Sequence, residues 1–347
     1  MKIVIPGGSG QVGNLLARAF TSDGHDVVVL SRNPGPAPWR VVEWDARTVG
    51  PWLNEVDGAD VVINLAGRSV DCRYTQKNRL LILNSRVEST RVIGKAIAKC
   101  ERPPRVWLQA STATIYAHRY DAANDEVSGI IGGAELDAPD TWSFSIEVAK
   151  AWENAANEAI TPHTRKVLLR SAMTMSPDRG GVFDVLLRMV RSGLGGTSGS
   201  GRQYVSWIHD EDFIRAVYWL IEHDDVAGPV NLSSPNPLPN AEFMRMLRNA
   251  WGRRIGLPAT EWMLEVGTFL LRTESELVLK SRRVVPGFLQ DAGFEFTFAD
   301  WNKAAADLCS RWRNRGTTDS VTQRTNLAPS HDRVGMAEAR STERCTS

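Results

Sequence analysis

The chain has 347 residues, 42% of them hydrophobic and 23% charged, with 41 Lys and Arg against 40 Asp and Glu. That length can bury a large core in one domain or two lobes, and a net charge of +1 gives no electrostatic basis for binding nucleic acid or an anionic membrane surface. The 4 cysteines, Cys72, Cys100, Cys309 and Cys345, form neither a CxxC nor a Cys/His cluster with zinc spacing, so they read as reduced thiols and imply no metal site.

The N-terminus enters a strand at once, and no apolar run approaches the roughly 20 residues that span a bilayer. A cytoplasmic protein with no membrane partner is expected, as a monomer or homodimer. The opening KIVIPG (2–7) predicts a short buried strand, and QVGNLLARAFTSDG (11–24) a helix with a glycine stop. Between them lies GGSGQVG (7–13), with glycines spaced G-x-x-G-x-x-G. Gly7 suits the tight turn, Gly10 the approach of a pyrophosphate to backbone, and Gly13 close packing of the helix. The helix N-terminus offers free N–H groups and partial positive charge to the phosphates. Gly7, Ser9, Gly10, Gln11, Val12 and Gly13 are therefore the candidate phosphate-loop contacts; the plain alternative is an ordinary β–α turn.

HDVVVLSR (25–32) predicts the second strand. An acidic residue at its end would accept hydrogen bonds from the adenosine ribose and favour NAD(H). Here Ser31 and Arg32 stand there, and an arginine can pair with a 2′-phosphate. NADP(H) is therefore expected over NAD(H), unless Arg32 is only a solvated strand-end charge. WRVVEWD (39–45) is a third β-like run, and Asp45 at its end either meets the adenine amino group or is a surface loop acid. ADVVINLAG (59–67) is a further strand that places Leu65, Ala66 and Gly67 at the sheet's C-terminal edge, where small residues let a cofactor lie against backbone.

RVESTRVIGKAIAKC (86–100) predicts a helix and RVWLQAS (105–111) a strand that delivers Ser111 and Thr112 to the same edge. SFSIEVAKAWENAANEA (143–159) predicts a helix and RKVLLRS (165–171) another strand. Apolar strands alternating with helices imply an α/β fold, a doubly wound parallel sheet of Rossmann type over residues 1–172. After about residue 175 the rhythm changes. A smaller mixed substrate lobe is expected over 173–310, with the strand at 229–233 returning to the first sheet. NAEFMRMLRNAWG (240–252) predicts a helix with Asn240 as N-cap. GSGRQYVSWIHDED (199–212) gathers Arg202, Gln203 and His209 as candidates for a substrate-facing stretch; a loop-to-helix join capped by Asp210 or Asp212 is the alternative. From Gly316 to residue 347 the polar, aperiodic composition predicts disorder.

Four blocks taken together resemble one family. NLAGRSVDCRYTQKNRLLILNSRVESTRVI, LGGTSGSGRQYVSWIHDEDFIRAVYWLI, GPVNLSSPNPLPNAEF and VVPGFLQDAGFEFTFADWNKAAADL stand in family order over about residues 1–310. The chain resembles the extended and atypical short-chain dehydrogenase/reductase superfamily, in its NAD-dependent epimerase/dehydratase-like group with a small C-terminal domain of the DUF1731 type (YfcH-like and SDR39U-type proteins). Arg73 and Arg86 in the first block are expected to face the same cleft as Arg202, unless they are solvated helix charges.

The resemblance also implies a proton donor. Active short-chain dehydrogenases use a tyrosine as acid or base, a lysine one helical turn later, and a serine or threonine from the preceding strand. Here Ser111 fits the serine position. Aligned through Glu153, the tyrosine and lysine positions hold Ser145 and Ala149; aligned through Lys150, the tyrosine position holds Ile146. No phenol stands in either register. Tyr116 is a possible stand-in or a structural aromatic, and Lys150 either reaches the cofactor ribose or is solvated. Two functions follow: an NADP(H)-dependent oxidoreductase or epimerase acting on a small polar or sugar-like substrate, or a non-catalytic NADPH-binding sensor.

Overall fold

The computed structural model describes residues 1–135, 139–259 and 276–325. In chain order these form β1 (Lys2–Pro6), α1 (Gln11–Ser22), β2 (Asp26–Ser31), β3 (Arg40–Glu43), α2 (Leu53–Val56), β4 (Val61–Asn64), α3 (Gln76–Ile97), β5 (Val106–Thr112) and a 3-10 turn (Ala113–Ile115). Then come α4 (Asp140–Asn157), β6 (Arg165–Ser171), β7 (Met173–Met175), α5 (Val182–Arg191), β8 (Tyr204–Val205), β9 (Trp207–His209), α6 (Asp210–Glu222), β10 (Gly228–Leu232), β11 (Leu238–Pro239) and α7 (Asn240–Trp251). The C-terminal region adds α8 (Glu276–Leu279), α9 (Gly287–Asp291) and α10 (Trp301–Thr325).

Seven strands make one sheet in the order β10-β6-β5-β4-β1-β2-β3, and every pairing in it is parallel. Parallel strands need crossovers that cover both faces, which is why they are apolar on both sides. The alternation is visible in β1. Ile3 and Ile5 point into the core shared with Leu16 and Phe20 of α1 and with Phe213, Val217 and Leu220 of α6. Val4 points to the opposite core, with Val92 and Ile93 of α3 and Trp107 of β5. The strand order reverses between β1 and β4, and a crevice opens at their C-terminal ends.

A further core joins α5, α7 and α10 around Phe183, Leu187, Phe243 and Trp301. Trp301 stacks on Phe243 at 4.1 Å between centroids and packs against Trp207 at 4.8 Å. Among the described residues no helix is long and apolar enough to cross a membrane.

Several local expectations change. Helix α3 begins ten residues before Arg86, because the Thr75 hydroxyl accepts a hydrogen bond from the Asn78 amide and caps a polar first turn. Asn240 does not cap α7: it is the first helical residue, and its Oδ1 accepts from the Ser198 amide at 2.9 Å. Helix α6 lies within the stretch assigned to the second lobe, yet its apolar face belongs to the sheet core. The final helix runs past Gly316 to Thr325; the remainder of the expected tail lies outside the described residues.

Candidate nucleotide and substrate site

The crevice is built at the β1–α1 turn. Gly7 has φ +75°, and a Cβ on it would lie 2.6 Å from the Ala66 Cα at the end of β4. Both the left-handed backbone and the close approach demand glycine there. Backbone bonds fix the contact, with the Leu65 amide donating to the Pro6 carbonyl and the Gly7 amide to the Leu30 carbonyl, both at 2.9 Å. A Cβ on Gly13 would lie 2.4 Å from the Gly8 Cα, so α1 sits directly on the loop. Gly10 differs: a Cβ there would meet only the Gly7 carbonyl oxygen, at 3.5 Å.

Gly10 is also the N-cap of α1 and supplies no side chain to its free N–H groups. The Gln11 side-chain Nε2 is buried without a hydrogen-bond partner among the described residues, beneath Gly181 of the following lobe. An uncapped helix start, an open glycine and an orphaned amide donor together fit a pyrophosphate. Val12 packs under this turn against the sheet core. Beside the loop opens a cavity of about 370 Å³ lined by Gln11, Asn14, Arg18, Trp39, Asp178 and Gly180.

At the end of β2, the Ser31 hydroxyl lies 3.4 Å from the Ser9 hydroxyl and is bonded to the backbone of Asn33. Arg32 is exposed, with no hydrogen bond or ion pair among the described residues. Asp45 is otherwise engaged. Its carboxylate accepts from the Arg47 and Thr48 amides and the Thr48 hydroxyl, and these bonds, the Thr48 hydroxyl's first, hold it below the usual carboxylate range. It caps the turn in which Ala46 takes φ +62°.

Across the crevice, Ala66 is buried and Gly67 exposed. A Cβ on Gly67 would lie 3.3 Å from the Arg86 guanidinium carbon. Arg86 therefore lines this wall; its Nη1 donates to the Arg68 and Ile82 carbonyls at 3.1 Å, and it stacks over Trp152. Burial lowers its pKa to about 10. Arg73 is half-buried at the start of α3, where its carbonyl accepts from Thr75 and Asn78.

Ser111, at the end of β5, donates to Glu153 Oε1 at 2.6 Å. Arg170, at the end of β6, grips the same carboxylate with Nε and Nη2, both at 2.9 Å. Its Nη1 donates to the Tyr116 hydroxyl at 2.9 Å, and that hydroxyl donates to Asn231 Oδ1 at 2.9 Å. The structure thus joins Ser111 and Tyr116 through one buried network. Tyr116 is 2% exposed, its phenol is pushed above its ordinary pKa by burial, and its hydroxyl has a donor and an acceptor already. Lys150 is exposed and donates to the Gly132 carbonyl at 2.9 Å, along the neighbouring turn and not toward Ser111. Ala149 fills the preceding position inside the core.

The 199–212 segment divides. Arg202 is exposed, over the Tyr120 ring. Gln203 is 2% exposed and donates to the Ser198 carbonyl inside the second lobe. His209 is fully buried and caps α6, its Nδ1 accepting from the Glu211 amide and its Nε2 3.0 Å from Asp307. Neither Gln203 nor His209 is brought to the crevice. The cap is His209 itself, not Asp210 or Asp212. Asp210 pairs with Arg311, while Asp212 accepts from the Thr297 and Phe298 amides, both at 2.8 Å.

Four charged residues that carry no motif lie behind Ser111 and the turn that follows it. Glu153 and Arg170 left a readable trace, the one acid beside Ala149 and Ala156 on α4 and the one base that follows the buried run Val167–Leu169 of β6. Glu276 and Lys280 left none, since Lys280 meets Thr114 across 166 positions.

The model of the NAD dependent epimerase/dehydratase family matches residues 3–233, and that of a domain of unknown function, DUF1731, matches residues 259–308. The chain is 30% identical over 311 residues to the epimerase family protein YfhF of Bacillus subtilis, covering 89% of this chain and 98% of that one. It is 28% identical to human epimerase family protein SDR39U1, covering 89% of this chain and 99% of the human one. The crystal structure of human SDR39U1 (isoform2) with NADPH superposes with a TM-score of 0.77 at 29% identity, over 89% of this chain and 99% of that one.

Proposed function

The chain belongs to the NAD dependent epimerase/dehydratase family, and from that premise we infer that it is an NADP(H)-using member, an oxidoreductase or epimerase acting on a small polar or sugar-like substrate. The observation that carries the cofactor choice is the end of β2. There Ser9 and Ser31 stand beside an exposed Arg32 that has no hydrogen bond or ion pair among the described residues, and the chain positions that close β2 hold no acid to take up an adenosine ribose. The NADPH held by human SDR39U1 supports the same choice.

A bound nicotinamide supplies or accepts hydride; the protein's part is to hold and orient. The uncapped start of α1 and Gln11 Nε2 take the pyrophosphate, Arg32 the 2′-phosphate. Ala66 and Gly67 let the cofactor lie against backbone. The Ser111 hydroxyl, fixed by Glu153, orients a substrate oxygen at the end of β5. Arg86 gives the wall a cation for an anionic or hydroxyl-rich substrate.

The test is a titration with NADPH and with NADH, followed by tryptophan fluorescence. NADPH binds the tighter, and Arg32→Ala weakens NADPH by about ten- to a hundredfold, as loss of a charged hydrogen bond requires, with NADH unchanged. Equal affinity for both cofactors, or an Arg32→Ala variant that still prefers NADPH, overturns the assignment. The second reading, an NADPH-occupancy sensor without turnover, draws on the burial of Tyr116 and the outward bond of Lys150. NADPH binding without oxidation by any carbonyl in a substrate screen selects it.

A further inference from the structure

Glu153, Ala149 and Ser145 recur every four residues on one face of α4. Glu153 touches Ser111. Ser145 lies two turns nearer the start of the helix, about 12 Å along its axis. It is half-buried, and its hydroxyl donates to Glu276 Oε2 at 2.5 Å. Glu276 is 1% exposed, and its Oε1 lies 3.8 Å from the Lys280 ammonium. Lys280, also 1% exposed, donates to the Thr114 carbonyl at 3.0 Å, in the turn just beyond Ser111. An acid from the C-terminal region, with a buried base beside it, therefore meets one hydroxyl on the α4 face that carries Glu153.

We propose that Ser145, Glu276 and Lys280 form the proton relay of this site, so that the C-terminal region completes the acid–base chemistry that α4 alone does not supply. The proposal rests on the oxidoreductase reading above. Ser145 is the member that meets substrate. When hydride from a reduced nicotinamide reaches a carbonyl carbon, the C=O pair moves to oxygen. The Ser145 hydroxyl gives that oxygen its proton and recovers one from Glu276, which takes it in turn from the Lys280 ammonium as their 3.8 Å contact shortens to hydrogen-bond length. The Lys280 side chain is closed to solvent in the free protein, so the neutral amine regains its proton from water only as the product leaves and the site opens. The reverse direction runs the same transfers backward.

The surroundings of Lys280 suit this task. Burial first, then the charge of Arg282, lower its pKa to about 8, against the opposing pull of Glu276 and Glu135. A donor poised near the working pH is the condition for efficient proton transfer. The other groups facing it are accounted for. Arg282 donates to the Thr114 hydroxyl and the Glu276 carbonyl. His118 accepts from the Ser281 amide through Nδ1, and burial keeps it below its ordinary pKa, hence neutral. Glu135 accepts from the His118 and Gly133 amides.

The experiment uses the full chain saturated with NADPH or NADP⁺. The titration of isotope-labelled lysine side chains is followed by NMR, and NADPH oxidation is followed against pH with phenanthrenequinone as the carbonyl probe. The Lys280 signal, assigned by its loss in Lys280→Arg, titrates near pH 8, and lower in Glu276→Gln, which removes the charge that holds the proton. Turnover falls above the same pH. Lys280→Arg keeps the positive charge but gives up no proton near the working pH; with folding checked by the melting temperature, it and Ser145→Ala lose about a hundredfold or more in kcat, while Ser145→Thr retains most of it. A Lys280 that stays protonated to pH 10 overturns the relay. So does undiminished turnover in Lys280→Arg or Ser145→Ala, which leaves the oxidoreductase reading standing. No turnover of phenanthrenequinone or of any carbonyl in the screen above, with NADPH bound and Lys280 titrating near pH 8, refutes the oxidoreductase reading and the relay with it.

Discussion

Replacing Arg170 by methionine removes the one cation from the network beneath Ser111. Arg170 and Glu153 have side chains each 9% exposed, and two bonds of 2.9 Å join them. Burial works against the guanidinium charge, but the bonds and charge of Glu153 outweigh it and hold the arginine above its ordinary pKa. In Arg170→Met the Glu153 carboxylate keeps only the Ser111 hydroxyl, and Tyr116 loses its donor. Breaking a buried pair from one side costs about 3–5 kcal/mol. At about 2 °C per kcal/mol for a chain of this size, the melting temperature falls by roughly 6–10 °C. Removing both partners leaves no orphaned charge, so Arg170→Met/Glu153→Met regains most of the loss. Urea unfolding followed through the 12 tryptophans measures both. A single variant within about 1 kcal/mol of the parent, or a double variant no more stable than the single, refutes the view that Ser111 is held by a buried ion pair.

The phosphate loop separates fold from binding. Gly13→Ala forces a Cβ to 2.4 Å from the Gly8 backbone and destabilises the free protein by about 1–3 kcal/mol. Gly10→Ala meets nothing closer than 3.5 Å, so its melting temperature is unchanged while NADPH affinity drops, as thermal unfolding and a fluorescence titration will show. Asp212→Ala strands the Thr297 and Phe298 amides; Thr297 is exposed and Phe298 half-buried, so the loss in urea unfolding is about 1–3 kcal/mol, that of one buried N–H left unmade. His209 has its pKa lowered by burial. The unfolded chain therefore binds the proton first, and stability present above pH 6.5 is lost as pH falls below it, by up to about 1.4 kcal/mol per pH unit. His209→Asn, measured by urea unfolding across pH 5–7, shows a shallower slope; an unchanged slope assigns the pH dependence to other groups.

The sequence by itself determined the parallel sheet and the phosphate loop, because both are local. A strand buried on both faces must be continuously apolar, and β1, β2, β4, β5 and β6 announce themselves so. Gly7 and Gly13 are legible because a turn and a close approach exclude any side chain. The absence of a phenol from α4 was equally plain. The partners of the remaining residues were not. His209 and Gln203 have the chemistry of a site but lie inside the joint between α6, α10 and the second lobe, a placement set by contacts with Asp307 and Ser198. Lys150 points along a turn that only the folded 132–133 segment creates. Ser145 looks inert in sequence, and becomes a candidate donor only because Glu276 and Lys280 return to it from the far end of the chain. Burial and charge pairing are properties of the packed chain, and they decide which of these side chains meets a cofactor and which holds the fold.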